Sequence, residues 1–464
     1  MRSLTCTAVA SMALLLTSVP VPGAAAVRES TLANGAPLLA SLDVASVQQT
    51  VAVIFETGCR VLPKGHGGVA DVFDQLLQQG PLGQSAAEFR RELFLLNALI
   101  STSSDGRRFQ LTVSAPPATL KAALQKVGVL LRQPKLTDME VSSALQKVVA
   151  LRRAERQNLR FLVRLAALRH LYPGHPDAAS CTSAIADMGT LELRSVQRDW
   201  QSLTQASRRI FGTVGPMPAE QVGALIRASI LKGSNIRYTP AGTTVPAQFR
   251  KTSFPTGTEV VLLEQTGVQD NQVWFIWPHD LQIDTPDYAV GEVALALLGG
   301  ATGRLSLELR EQRGLTYDAR AYFASNLPHY AGTTFAGADK IAQLIREFPQ
   351  VYQAFVEEAQ SEQRLSAAKR TLVTSFREAT ELPADGFRLA LEARLFGRDP
   401  NAWQGRAERW NAVSLDDLQR FIRARMNRKP AFLVVLGDRN VLLSALGQAG
   451  YEKELIKTLQ VDEL

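Results

Sequence analysis

The feature that most constrains this chain is that it states one structural plan twice. The first statement opens with Ser30-Thr31-Leu32-Ala33-Asn34-Gly35, where Asn-Gly is a turn signal between short strands. Thr50 to Thr57 alternates as a strand, Gly67 to Gln79 has helical spacing, and Arg107 to Ser114 alternates again. Helical stretches are predicted over Pro117 to Leu131, Leu136 to Arg156 and Phe161 to Leu171. Ile210 to Val214, ending at Gly215-Pro216, then reads as a closing strand.

The second statement repeats this order. Strands are predicted at Glu259 to Glu264 and Val273 to Trp277, then helices at Pro286 to Leu298 and Arg304 to Gln312. A strand over Leu315 to Phe323 precedes long helices in Asp339 to Ala359, Ser361 to Thr380 and Phe387 to Leu395. Ala431 to Leu436, before Gly437-Asp438, closes the half. A local echo supports the repeat: LTDMEVSSALQK (Leu136 to Lys147) resembles SEQRLSAAKRTL (Ser361 to Leu372). The expected fold class is α+β, with two homologous domains, each a mainly antiparallel sheet packed with helices. The domains are placed at residues 27–240 and 241–464, with Ser234 to Lys251 as the polar connection.

Met1 to Ala26 has the marks of a secretory signal: Arg2, an apolar run around Ala8 to Val19, then Pro20, Pro22 and Ala24-Ala25-Ala26. The mature chain is expected to start near Val27, periplasmic or secreted. No later stretch is apolar enough for a membrane span. The 464 residues suffice for two or three cores, and 46% hydrophobic with 20% charged residues is a globular balance. Cys59 and Cys181 remain after the signal; an oxidising compartment permits a bridge, but two cysteines alone do not establish one. The net charge of +7 is spread out. The run Arg152, Arg153, Arg156 and Arg160 reads as a solvated helical face, and no aromatic platform for nucleic acid accompanies it.

Two segments carry chemistry. Gly68 to Leu77 reads GVADVFDQLL, the outline of the helix G-x-A-H-x-x-E-H-x-L of inverted-motif zinc peptidases. Gly68, Ala70, Leu77 and the apolar Val72, Phe73 and Leu76 fall where that helix needs them. Asp71, Asp74 and Gln75 stand at the first histidine, the glutamate and the second histidine. A catalytic zinc needs three strong protein ligands. A carboxylate and a neutral amide four apart on one face are a poor substitute. The five histidines, His66, His170, His175, His279 and His329, are read as structural or surface residues. The other segment is GRLSLELREQRGLTY, Gly303 to Tyr317. Arg310 is expected in the last turn of a helix, Gly314 at its left-handed C-terminal position, and Tyr317 on the strand that follows. Tyr322 and Tyr330 are read as packing aromatics.

Together these segments resemble the pitrilysin/insulinase peptidase family, whose members carry L-R-E-x-x-G-L-x-Y where this chain has Leu309 to Tyr317. The family's third zinc ligand is a glutamate on a later helix; here that window reads Val148, Val149, Ala150, Leu151 and Arg152. The resemblance implies that Arg310 and Tyr317 bind a substrate carbonyl, the phenol stabilising a developing oxyanion. It further implies that Phe89 to Asp105 forms the helix, turn and edge strand (STSSD, Ser101 to Asp105) on which substrate adds as a strand. His175-Pro176 resembles the family's usual loop at that place.

Family members of this length pair as clam shells, so a zinc-less subunit of a bacterial heterodimer is implied. No cofactor is expected on this chain, and zinc is expected on a homologous partner carrying H-x-x-E-H. No metallopeptidase activity is expected from the chain alone. The pair is expected to hydrolyse peptides or unfolded protein segments, with Arg310 and Tyr317 completing a shared site. The alternatives are a catalytically inactive structural subunit and a peptide-binding or chaperone subunit of the same fold.

Overall fold

The computed structural model describes residues 26–63, 65–173, 175, 185–240, 257–452 and 456–460. The signal segment up to residue 25, Cys181, Pro176 of the His-Pro loop and most of the polar connection lie outside them.

Two six-stranded sheets carry the fold. The first contains β1 (Arg28–Thr31), β2 (Pro37–Leu42), β3 (Gln49–Phe55), β4 (Leu99–Ser104), β5 (Phe109–Ala115) and β6 (Arg209–Gly215), in the order β1-β2-β6-β3-β5-β4. The second contains β7 (Glu259–Glu264), β8 (Asn271–Pro278), β9 (Ala319–Phe323), β10 (His329–Ala336), β11 (Phe432–Gly437) and β12 (Ile456–Gln460), in the order β12-β7-β11-β8-β10-β9. From the second position onward the two orders correspond strand for strand. In each, one parallel pair (β2 with β6, β7 with β11) meets an otherwise antiparallel ladder, β12 adding a second parallel pair at its edge. The expected α+β repeat is present as two mixed sheets.

The burial of the strands explains their composition. Every residue of β11, FLVVLG, is buried, so it reads as a continuous apolar run instead of alternating. Strand β5 alternates buried and half-buried residues, and β4, at the sheet edge, has no fully buried residue. On one face each sheet is covered by helices of its own half. Val69–Leu77, Leu120–Arg132 and Asp138–Glu155 share a core with β3 and β5. Pro286–Gly299 and Ile341–Glu357 do the same against β8 and β11.

The opposite faces are covered by exchange. Leu159–Leu171, from the first half, buries Leu162, Val163, Ala166 and Leu171 against Val261, Trp274, Ile276 and Val434 of the second sheet. Pro383–Leu395, from the second half, buries Phe387, Ala390 and Leu391 against Leu39, Ile54 and Ile210 of the first. These two helices hold equivalent places in the repeat, so the exchange is reciprocal. Polar contacts pin it: His170 Nε2 lies 2.9 Å from Glu259 Oε1, and the Tyr172 hydroxyl 2.5 Å from His329 Nδ1. Each half therefore needs the other to cover its sheet, which a division of the chain at residue 240 does not convey.

Other differences are local. The predicted basic face is split over two helices, because Asp138–Glu155 ends before Asn158, whose side chain caps Leu159–Leu171 at Phe161 N (3.1 Å). The predicted strand from Leu315 starts only at Ala319. Cys59 is disulfide-bonded. No helix among the described residues is long and apolar enough to cross a membrane.

Candidate functional site

The helix Val69–Leu77 forms for the expected reason. Val69, Val72, Phe73, Leu76 and Leu77 are buried on one face, Phe73 meeting Trp200 edge-on at 4.9 Å between ring centroids. Its other face presents Asp71, Asp74 and Gln75, all partly exposed. The helix Asp138–Glu155 packs beside it and places Arg152 on Asp71 in an ion pair; Arg152 also reaches Glu155 at 2.5 Å. Burial raises the Asp71 carboxyl above its ordinary range, the Arg152 guanidinium pulling it the other way. Asp74 accepts a hydrogen bond from the Thr102 hydroxyl on edge strand β4. Gln75 is half-buried beside them.

This donor set does not fit zinc. A guanidinium stands against the carboxylate at the first ligand position, supplying the positive charge a cation would otherwise bring. Among the described residues no group of three His, Cys, Asp or Glu side chains is arranged to hold a metal. The described histidines are engaged elsewhere. His66 Nδ1 lies 2.6 Å from Asp199 Oδ2, while burial depresses His279 to about 4 and His329 to about 3. Arg152 also corrects the sequence reading: it is not on a solvated face, since its side chain is 13% exposed against Asp71.

The second group sits at the far end of Ser306–Gln312. This segment is a widened π-type helix where a regular α-helix was expected: Arg313 N–H donates to Glu308 C=O at 3.1 Å, five residues back. Glu308 ties it down, ion-paired to Arg304 and, at 2.7 Å, to Arg313. Gly314 ends it with φ +60°, the left-handed conformation a glycine adopts without strain. Leu315 and Thr316 then turn inward and Tyr317 outward. The Thr316 hydroxyl donates to the Asp318 carbonyl (3.0 Å), Thr334 Oγ1 donates to Thr316 Oγ1 (3.1 Å), and Lys340 Nζ donates to the Gly314 carbonyl (2.8 Å). Tyr317 thus lies in a bend before β9 and not on the strand. Its side chain is 73% exposed, with the Arg310 guanidinium 4.8 Å from the ring centroid. Arg310 also pairs with Glu311 at 3.3 Å. Of the two packing aromatics, Tyr330 is buried against Trp277 and bonded to the Tyr352 hydroxyl at 2.7 Å, whereas Tyr322 lines an open cleft.

Among the described residues no hydrogen bond, ion pair or ring contact joins Asp71, Asp74 or Gln75 to Arg310 or Tyr317. They are two separate groups. The segment from Arg152 to Arg160 runs between their surroundings, since Arg160 Nη2 pairs with Asp318 Oδ2 at 3.2 Å, one residue after Tyr317. Beside Asp74 opens a groove of about 660 Å³ along β4, lined by Leu77, Phe89, Leu93, Phe94 and Leu99 among others, with Phe94 and Leu99 exposed. The positioning roles of Thr316, Thr334 and Lys340 were missed from the sequence, because Thr334 and Lys340 reach Thr316 and Gly314 only through the tertiary fold and the Thr316 bond forms only in the bend itself.

Residues 195–372 match the family model described as the peptidase M16 inactive domain. The match contains Arg310 and Tyr317 and excludes Asp71, Asp74 and Gln75. Over that stretch the chain resembles the peptidase M16 inactive domain. Its fold is that of a peptidase M16 inactive domain from Pseudomonas fluorescens, with TM-score 0.74 and 16% identity over 89% of this chain and 98% of that one. The periplasmic protease PqqL from Escherichia coli is similar at TM-score 0.68 and 14% identity, over 94% of this chain but 49% of that one. The ferredoxin protease FusC, in complex with Arabidopsis ferredoxin, is similar at TM-score 0.66 and 17% identity, over 89% and 45%. This chain thus corresponds to about half of each of these last two proteins. At such identities the likeness is one of fold. No curated protein matches the sequence.

Proposed function

We propose that this chain is the zinc-free subunit of a secreted or periplasmic peptidase pair, lending Arg310 and Tyr317 to a site whose metal is held by a homologous partner carrying H-x-x-E-H. The observation that carries this is the presentation of Tyr317. An aromatic side chain is held outward by a hydrogen-bonded bend, with a guanidinium on its ring, while its neighbours Leu315 and Thr316 are buried. Guanidinium and phenol both donate hydrogen bonds, which suits a peptide carbonyl gaining negative charge. This chain's part is to bind and orient that carbonyl; water activation belongs to the partner.

Three further observations support the reading. The Asp71–Arg152 pair fits a chain that holds no zinc of its own. Strand β4 lies at the edge of its sheet and borders an apolar groove, the arrangement that accepts an extended peptide as an added strand. Met1 to Ala26 reads as an export signal, and the similar PqqL is a periplasmic protease.

The test is reconstitution. The mature chain, a homologue with an intact H-x-x-E-H, and the two mixed are each assayed on an unfolded peptide. Cleavage by the pair that exceeds the homologue alone, with none from this chain alone, is expected. A pair that assembles with no gain in cleavage contradicts a shared site and leaves a structural or peptide-holding subunit.

A further inference from the structure

A second cleft, of about 470 Å³, is lined by Asp318, the residue after Tyr317, and none of the roles above uses it. Its floor is the face of the second sheet at β9 and β10, with Arg320 and Tyr322 two apart on β9 and so on one face. Its wall is the first turn and a half of the exchanged helix Leu159–Leu171, where Arg160 and Arg164 lie four apart on one side. The cleft exists only because that helix crosses to the second sheet.

Its charge is unbalanced. Asp318 is the one carboxylate in the lining, and it is shared: Arg160 Nη2 lies 3.2 Å from Oδ2 and Arg320 Nε 2.8 Å from Oδ1. Arg164 has no carboxylate partner among the described residues. Three guanidiniums therefore face one carboxylate, an excess of two positive charges. Arg160 is also held over the Phe335 ring, 5.2 Å from its centroid. Burial raises the Tyr322 phenol above its ordinary range, with Arg164, a hydrogen bond to Thr333, Arg160 and Arg320 opposing, so it carries no negative charge to offset the arginines. Donors in excess of acceptors, one unpaired guanidinium and a cleft open to solvent make a receptor for a carboxylate.

We propose that this cleft is a carboxylate subsite that takes an Asp or Glu side chain of a peptide lying across Tyr317, so that the substrates of this chain are acidic peptides. This rests on the peptide-binding role of Arg310 and Tyr317 and names the substrate class of that site. Asp318 bridges Arg160 and Arg320, and the incoming carboxylate pairs with Arg164 and takes the free donors of Arg320. Arginine suits this task because its planar fork presents paired donors to a carboxylate.

The test uses the mature full-length chain and two labelled peptides, identical except for Glu in one and Gln in the other, with binding read by fluorescence anisotropy at low salt. The Glu peptide is expected to bind about tenfold more tightly, as two partly exposed charge contacts allow. Arg164→Gln/Arg320→Gln is expected to erase that preference while the Gln peptide binds as before. Arg377→Gln/Arg423→Gln removes the same charge elsewhere and is expected to keep the preference. Equal binding of both peptides by the native chain overturns the subsite and leaves the peptide-binding role standing. A preference that survives Arg164→Gln/Arg320→Gln also overturns it, the attraction then belonging to the net charge. Binding of neither peptide removes the underlying role and the subsite with it.

Discussion

Replacing Arg152 by methionine isolates the contact that has taken the place of a metal. The ion pair with Asp71 joins a guanidinium that is 13% exposed to a carboxylate that is 42% exposed. Two unit charges 4 Å apart interact by about 4 kcal/mol at the effective dielectric of a protein surface. Exposure of Asp71 screens much of this, and pairs of such exposure are measured at about 1 kcal/mol or less. Methionine keeps most of the apolar stem but leaves Asp71 in surroundings that already raise its pKa. The expected loss is about 1–2 kcal/mol at neutral pH, a fall in Tm of about 1–2 °C for a chain of this length unfolding as one unit. The pH dependence has a definite sign. A carboxyl with a raised folded-state pKa binds a proton more readily folded than unfolded, so its contribution to stability falls as pH rises through the raised value. Without Arg152 that value rises further. The loss in Arg152→Met should therefore be largest near pH 7 and shrink as Asp71 protonates towards pH 4, and Asp71→Asn should remove most of it. The assay is thermal unfolding of the four members of the double-mutant cycle at both pH values. A loss equal at pH 4 and pH 7, or unchanged in the Asp71→Asn background, would refute the electrostatic account.

Other outcomes follow from the same structure. Asp71→His/Gln75→His is expected to acquire no stoichiometric zinc, because Arg152 still faces the site; adding Arg152→Glu should allow about one zinc per chain after dialysis, read by elemental analysis, and equal metal content in the two variants would contradict this placement. Phe387→Ala removes a ring that covers the first sheet from the other half, where Gly212 leaves room for it, and should cost about 3–5 kcal/mol in chemical unfolding. A cost under about 1 kcal/mol would show that the exchanged helix is not firmly seated. His279 and His329 are depressed to about 4 and about 3 from an ordinary value of 6.5, so they are neutral when folded and protonated when unfolded in between. Stability is then full above about pH 6.5 and declines as pH falls towards 4; His329→Gln should flatten that decline, and an unchanged slope would contradict it. Gly314→Ala, at φ +60°, should cost about 1 kcal/mol and shift the Tyr317 ring, seen as altered near-ultraviolet circular dichroism.

Much of the fold was legible because local pattern and tertiary role agree. The alternation in Arg107 to Ser114 is that of β5, and the buried stripe of Val69–Leu77 is the stripe its periodicity shows. Gly314 and Asn34-Gly35 end their elements as their chemistry requires, Gly35 having φ +83°. The echo between Leu136 to Lys147 and Ser361 to Leu372 falls on helices that occupy equivalent places in the two halves. What pattern could not show is which surface an amphipathic helix chooses. Leu159–Leu171 has the same apolar stripe whether it lies on its own sheet or the other, and the choice depends on contacts about a hundred residues or more away. Arg152 was misread for a related reason, since a basic run reads as solvated until a neighbouring helix brings Asp71 to it. Tyr317 was placed on a strand because its neighbours alternate. Thr316 and Thr334 instead hold the chain in a bend there, and that bend is what turns the phenol outward.

The central claim, that a chain with no zinc of its own supplies substrate-binding groups to a partner's site, is tested most directly by kcat of the reconstituted pair carrying Tyr317→Phe. The side chain is largely exposed, so the change should leave Tm and assembly as in the native chain. Loss of one donor to the developing charge should lower kcat by about 10²–10³ with little change in KM. A pair that assembles and turns over at the native rate with Tyr317→Phe would contradict the account.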